Sequence, residues 1–328
     1  MEPIRNYNED MKKFGVIVLV LFLGIMGPYF YKTSKLVPIK SSDLPSYGQW
    51  AQLSDGNIFY RWFEPEQVTK SEPVILVHGF STPQFVWDGM VQFITDQGFR
   101  VLVYDHFGRG YSERPKVLYN KELYIRSLNE LIASQNIKTK IHLVGYSMGG
   151  PIVGYYANQY PTSIASTSFI APAGLMVETN GINPLAVAPY IGEWFLHVFG
   201  NIDSWYQDRE DTDDPYSLST KDFLRLIKIQ TRFEGYYESL LSTYRNFNLF
   251  NTQGMYKELG SYNFPTLVLW GTDDSVVLYS GNEDLMNFLP QAELITIQDG
   301  KHSITYKQPS YVGQSIADFL DRQYGGSI

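Results

Sequence analysis

The stretch Ile141-His142-Leu143-Val144-Gly145-Tyr146-Ser147-Met148-Gly149-Gly150-Pro151-Ile152-Val153-Gly154-Tyr155-Tyr156-Ala157 decides the fold. Its first four residues are an apolar run that predicts a strand, residues 151–157 predict a helix, and only a sharp turn separates the two. Ser147 sits at the tip of that turn with a glycine two residues away on each side. In such a G-x-S-x-G arrangement the serine is held in strained backbone geometry, and glycines let neighbouring chains pass close to it. The hydroxyl then projects from the end of the sheet. The pentapeptide alone recurs by chance in unrelated chains, so its weight comes from the strand before it and the helix after it.

A serine hydroxyl is a poor nucleophile until a base removes its proton, so partners are expected downstream in the order serine, acid, histidine. Residues 264–270 read as a buried strand, and Gly271-Thr272-Asp273-Asp274 follows as a turn carrying two carboxylates. Either aspartate has the chemistry of an orienting acid. Residues 293–297 read as another strand, followed by the loop Gly300-Lys301-His302-Ser303, whose histidine is the candidate base.

These motifs, together with His78-Gly79-Phe80 after one strand and Asp105-His106-Phe107-Gly108-Arg109-Gly110-Tyr111-Ser112 after the next, resemble an α/β-hydrolase of the lipase and esterase type, close to the monoacylglycerol lipases. The likeness covers roughly residues 45–325. It implies an α/β fold, a mostly parallel sheet of about eight strands flanked by helices, with a helical cap inserted. It also implies the fourth residue of the G-x-x-D turn, Asp274, as the acid in preference to Asp273. Ser147, His302 and Asp274 would form the triad, and the backbone amides of Phe80 and Met148 the oxyanion hole. A serine at the elbow argues against the dehalogenases and epoxide hydrolases of this superfamily, which place an aspartate there.

Each residue also has an ordinary reading: a strand-to-helix turn serine, a surface loop histidine, a solvated carboxylate. The ordered set argues against all three at once. Among the other histidines, His78 is expected to shape the oxyanion loop, His142 to lie in the core or an edge strand, and His197 to lie in a lid, while His106 has no evident chemical context. No histidine and carboxylate set has metal-ligand spacing of the H-E-x-x-H kind, and there are no cysteines to form a thiolate site. Neither a metal nor another cofactor is implied.

A chain of 328 residues suits one large domain with an insertion. Its net charge of −8 argues against nucleic acid as a partner, because phosphate binding needs a basic surface. The absence of cysteine removes any disulfide framework. Near the N-terminus, the 18 residues 14–31 carry no charge and are bracketed by Lys12-Lys13 and Lys32. At 1.5 Å per residue they reach roughly 27 Å, enough for a thin bilayer core. A membrane anchor over residues 1–35 is the preferred reading over a cleaved signal peptide, since no A-x-A-like site follows the apolar run. Basic residues are nearly balanced across it, and a short N-terminal tail staying cytoplasmic would put the hydrolase domain on the extracytoplasmic or lumenal side.

Beyond the anchor, residues 32–46 read as a tether. A hairpin is expected next, from 48–53 through Ser54-Asp55-Gly56-Asn57 into 58–62. Apolar runs at 73–77, 100–104, 141–144 and 164–170, with helical segments such as 122–135 between them, predict parallel strands. Residues 36–172 thus form a first core part, 173–263 a cap that interrupts the strand pattern, and 264–328 a second core part. The cap contains Trp194, Phe195, Phe199, Trp205, Tyr206, Phe233, Tyr236 and Tyr237; most are expected to pack its own small core, and some to face the serine as an apolar pocket. Its acidic run 208–214 reads as a solvated loop, and 221–232 as a helix.

The expected function is a membrane-anchored serine hydrolase of carboxylic esters, with lipid-like substrates such as monoacylglycerols or medium-chain acyl esters, acting through an acyl-enzyme. Hydrolysis of another bond (amide, lactone or carbon-carbon) is one alternative. A non-catalytic hydrolase-fold binding module is the other.

Overall fold

The computed structural model describes residues 7–175, 184–206 and 210–324. Eight strands make one sheet: β1 (Gln49–Leu53), β2 (Gly56–Phe63), β3 (Val74–Val77), β4 (Val101–Tyr104), β5 (Ile141–Tyr146), β6 (Ile164–Ile170), β7 (Thr266–Gly271) and β8 (Ala292–Ile297). Their spatial order is β1-β2-β4-β3-β5-β6-β7-β8. Only β2 runs antiparallel to its neighbours; every pairing from β4 to β8 is parallel. Every residue of β3, β4, β5 and β7 is buried, as expected for parallel strands with helices on both faces.

The hairpin forms with a tighter turn than the sequence pattern suggests. Leu53 pairs with Gly56 and Gln52 with Asn57, so only Ser54 and Asp55 are left as the loop. Two-residue loops match the twist of the strands they join, which draws Gly56 and Asn57 into the ladder. The Lys121–Ser134 helix starts at Asn120, whose side-chain oxygen accepts the Leu123 amide at 3.0 Å, a regular N-cap.

The chain visits β3, then β4 on one side of it, and then crosses to β5 on the other side. Ligands of open α/β sheets bind where the order reverses in this way, beyond the carboxyl ends of the strands. His78 follows β3 and Ser147 follows β5, so both stand at that point.

Between β6 and β7 lies an insertion that includes helices Ile191–Phe199, Thr220–Thr231, Tyr236–Asn246 and Gln253–Leu259. Its acidic run is not a free loop. Asp211 accepts Lys307 Nζ at 2.7 Å and the Thr220 amide at 2.7 Å, while Asp214 accepts the Ser310 amide at 2.9 Å and its hydroxyl at 2.7 Å. These carboxylates fasten the insertion to the C-terminal part of the core; residues 208–209 lie outside the described residues.

The N-terminal apolar segment lies in one helix, Tyr7–Thr33, of which Glu9–Thr33 is long and apolar enough to cross a membrane, with mean hydropathy 2.1. Its apolar side chains from Phe14 to Leu23 are exposed. The helix nonetheless touches the insertion: Trp194 Nε1 donates to the Ile25 carbonyl at 3.0 Å and Lys32 Nζ to the Val198 carbonyl at 3.3 Å. The following segment is not a loose tether. Val37 pairs with Phe233 as a parallel bridge, through Val37 N to Arg232 O at 3.1 Å and Glu234 N to Val37 O at 3.0 Å.

Candidate active site

Ser147 has φ of 54°, the left-handed region that costs a non-glycine residue about 1–3 kcal/mol. The surrounding backbone enforces it. The Ser147 amide donates to the Ile170 carbonyl at 3.0 Å, and the Ser147 carbonyl accepts the Ala173 amide at 3.0 Å. The flanking glycines are required by close approach: a β-carbon on Gly149 would overlap the Val77 carbonyl oxygen, and one on Gly145 the Gly149 carbonyl. The serine therefore stands proud of β5 at the start of the Gly149–Gln159 helix, itself only 9% exposed.

The structure brings the serine together with the histidine and acid predicted from sequence. His302 Nε2 lies 3.1 Å from Ser147 Oγ, and His302 Nδ1 lies 2.7 Å from Asp274 Oδ2. Asp274 is buried, and its other oxygen accepts the amides of Val276 at 2.9 Å and Val277 at 2.8 Å. One carboxylate oxygen is thus held by the turn after β7 and the other is left for the imidazole. Asp273 is exposed and does not reach the histidine.

Phe80 and Met148 flank the serine from the ends of β3 and β5, where Gly79 packs against the Ser147 β-carbon. The loop carrying Phe80 is set by two histidines. His78 Nδ1 donates to the Gly79 carbonyl at 2.9 Å, and its Nε2 accepts the His106 amide at 2.9 Å. His106 Nε2 in return donates to the His78 carbonyl at 3.0 Å, with ring centroids 4.0 Å apart. Burial drives the His106 pKa down to about 3 and the His78 pKa well below the usual histidine value, with the neighbouring Arg109 charge pushing both the same way. Both rings are neutral, and each tautomer is fixed by its partners.

His106 therefore braces the loop that carries Phe80, a contact that sequence reading passed over. The available signal was its place just beyond β4, the strand next to β3, matching His78 beyond β3. Tyr146 was also missed: its hydroxyl donates to the His302 carbonyl at 2.8 Å and its ring lies 5.1 Å from the imidazole. His142 lies buried within the central strand β5 rather than at an edge, and His197 sits on the insertion, 2.9 Å from Glu238 and against Tyr29 of the N-terminal helix.

A cavity of about 590 Å³ reaches His302, lined by Trp205 and Tyr206 of the insertion among others. The insertion's aromatics divide by exposure. Tyr206, Phe233 and Tyr236 are buried, as a small core requires, while Phe195 and Phe199, on the helix that packs against the N-terminal one, and Trp205, at the cavity, are exposed.

The alpha/beta hydrolase fold family model matches residues 72–309, and the chain belongs to that family. It is 28% identical over 258 residues to monoacylglycerol lipase abhd6-B of Xenopus laevis, covering 75% of this chain and 74% of that one. It is 24% identical over 274 residues to lipase 1 of Psychrobacter immobilis, covering 80% and 78%. Among solved structures, a membrane phospholipase A described as a bacterial virulence factor matches 96% of this chain and 99% of its own, with TM-score 0.62 and 20% identity. The chain is similar to lipases within its family.

Proposed function

We propose that this protein is a membrane-anchored serine hydrolase that cleaves carboxylic esters of lipid-like alcohols or acids, monoacylglycerols and medium-chain acyl esters being the substrate class. The observation that carries the reading is the run Ser147 Oγ, His302 Nε2, His302 Nδ1, Asp274 Oδ2, with separations of 3.1 and 2.7 Å.

In this mechanism Ser147 Oγ attacks the ester carbonyl carbon while His302 Nε2 takes the hydroxyl proton. Asp274 keeps the Nδ1 proton in place and stabilises the imidazolium. The tetrahedral oxyanion is met by the Phe80 and Met148 amides, and losing one such donor typically costs about 100- to 1000-fold in rate. His302 then gives its proton to the departing alcohol, leaving an acyl-Ser147. A water, deprotonated by the same imidazole, attacks that ester and releases the acid.

Two features support a lipid-like substrate: an exposed helix of membrane-spanning length packed against the Ile191–Phe199 helix, which carries the outward-facing Phe195 and Phe199, and the outward-facing Trp205 that lines the cavity at His302. Residues 173–263 serve as the cap in this reading, and the catalytic domain lies on the extracytoplasmic or lumenal side. The test is fluorophosphonate labelling of the detergent-solubilised protein, followed by turnover of a monoacylglycerol against an acetyl ester. Ser147-dependent labelling with preference for the monoacylglycerol is expected. An unlabelled but folded protein would remove the hydrolase reading, and equal use of acetyl and decanoyl esters without monoacylglycerol turnover would remove the lipid preference. Protease protection of the domain within the cytosol would reverse the orientation.

A further inference from the structure

Arg109 is fully buried, yet among the described residues its guanidinium faces no carboxylate. Its Nε donates to the Phe80 carbonyl at 2.5 Å, and its terminal nitrogens donate to Ser239 Oγ at 2.9 Å and Thr243 Oγ1 at 3.0 Å. Both hydroxyls belong to the Tyr236–Asn246 helix of the insertion. The Phe80 ring lies 5.4 Å from the guanidinium carbon and, with the nearby Tyr124 hydroxyl, adds to the compensation. Burying a cation without an acid is costly, and packing alone would be served by an apolar side chain. The arrangement is therefore informative for where its bonds go: one to the backbone of the oxyanion loop and two to the insertion.

A second buried side chain from the insertion repeats the pattern. Gln230, on the Thr220–Thr231 helix, donates through Nε2 to the Ser81 carbonyl at 2.9 Å and accepts the Gly110 amide at Oε1 at 2.9 Å. Successive carbonyls of the oxyanion loop, those of Phe80 and Ser81, are thus tied to helices of the insertion, directly by Gln230 and through the loop after β4 by Arg109. Fixing the Phe80 carbonyl restricts rotation at Phe80, while the His78 and His106 pair fixes the chain before it. Between the two constraints the direction of the Phe80 N–H is set.

We propose that Arg109 is a positioning residue for the oxyanion hole, which carries the seating of the insertion's Tyr236–Asn246 helix into the aim of the Phe80 amide. The insertion is then a working part of the reaction centre as well as a cover for the substrate. This rests on the serine-hydrolase reading above.

The experiment uses the detergent-solubilised full chain and a soluble p-nitrophenyl butyrate, with Ser147→Ala as the blank. Arg109→Lys keeps the charge but loses the planar fork that spans all three acceptors. It is expected to lower kcat by roughly 10- to 100-fold with KM changed less than about threefold, because only the transition state uses the hole. The affinity of an alkyl boronic acid, whose boron takes the Ser147 oxygen to become tetrahedral, should fall by the same factor as kcat/KM. The pair Ser239→Ala with Thr243→Val should reproduce the selective kcat loss, and adding it to Arg109→Lys should cost little more, since both break one linkage. A folded Arg109→Lys with kcat within twofold of wild type would overturn the proposal, as would unchanged boronate affinity or fully additive losses. Should Arg109→Lys not fold, the hydroxyl pair decides alone: unchanged kcat there overturns it. A wild type without Ser147-dependent turnover would instead remove the reading beneath it, an outcome distinct from all of these.

Discussion

His302 Nδ1 stands 2.7 Å from Asp274 Oδ2, while the adjacent Asp273 is turned to solvent and is 3.3 Å from the Thr272 hydroxyl instead. The two carboxylates are neighbours in sequence and opposite in placement, because the amides of Val276 and Val277 draw Asp274 inward. Asp274→Asn should leave the geometry nearly intact but present the wrong hydrogen-bonding partner to the imidazole, and ester turnover should drop by roughly 10⁴-fold. Ser147→Ala and His302→Ala should fall at least as far. Asp273→Asn should stay within about twofold. Steady-state kinetics on one soluble ester ranks all four, and a large loss at Asp273 with little at Asp274 would exchange their roles.

Two glycines separate crowding from mere presence of glycine. A β-carbon at Gly149 would press on the Val77 carbonyl at the end of β3, where the sheet backbone cannot yield. Gly149→Ala is expected to destabilise by about 1–3 kcal/mol, as overpacking does, and to displace the serine enough to lower kcat. Gly254, in the Gln253–Leu259 helix, has no heavy atom within 4 Å of such a carbon. Gly254→Ala should therefore be neutral or stabilise by about 0.4–1 kcal/mol, the usual gain from replacing a helical glycine. Thermal unfolding of the pair tests this directly. Equal melting temperatures would mean that β3 shifts to accommodate the methyl group.

The parts of the molecule that sequence reveals are those fixed by local pattern. Strands β3, β4, β5 and β7 are short apolar runs, and Ser147, Asp274 and His302 follow strands in motifs whose spacing is local. What could not be read depends on register and long-range pairing. His78 and His106 meet only because β3 and β4 are adjacent and parallel, with Leu76 opposite Val103. Asp211 reads as a solvated carboxylate until Lys307, 96 residues away, arrives beside it. Likewise nothing near Val37 announces Phe233 as its partner, so a charged, proline-containing stretch looks like a tether when it is a clamp.

The N-terminal helix should hold the protein in the membrane by its own hydrophobicity. Val18 and Phe22 lie one helical turn apart on it, and both are exposed. Placing arginine near the middle of a spanning helix costs roughly 2.5–3.5 kcal/mol per residue on insertion scales. Val18→Arg combined with Phe22→Arg should therefore shift the protein from the alkaline-resistant membrane pellet toward the soluble fraction on carbonate extraction, with activity on a soluble ester retained. A doubly substituted protein that remains in the pellet would show that the outward-facing Phe195, Phe199 and Trp205 of the insertion suffice for attachment.

His142 provides a pH test inside the core. It is 2% exposed on β5, with Nδ1 2.7 Å from Ser166 Oγ and Nε2 3.2 Å from the Tyr324 hydroxyl. Burial lowers its pKa to about 4, against a weaker opposing pull from Glu72. Well above pH 6.5 the side chain is neutral in both folded and unfolded chains and contributes no pH dependence. As pH falls from there toward 4, the unfolded chain takes up a proton that the folded chain refuses, so stability is lost across that window. His78 and His106 act in the same direction, while Asp105, raised to about 6 by burial, acts in the opposite one between the ordinary carboxylate range and pH 6. Comparison with His142→Gln isolates the single site, because the other groups are common to both proteins. The wild type should lose about 2 kcal/mol more than the variant between pH 7 and pH 4.5, from the difference between the two pKa values. Urea unfolding at the two pH values measures it, and parallel losses would mean that His142 is protonated within the folded strand.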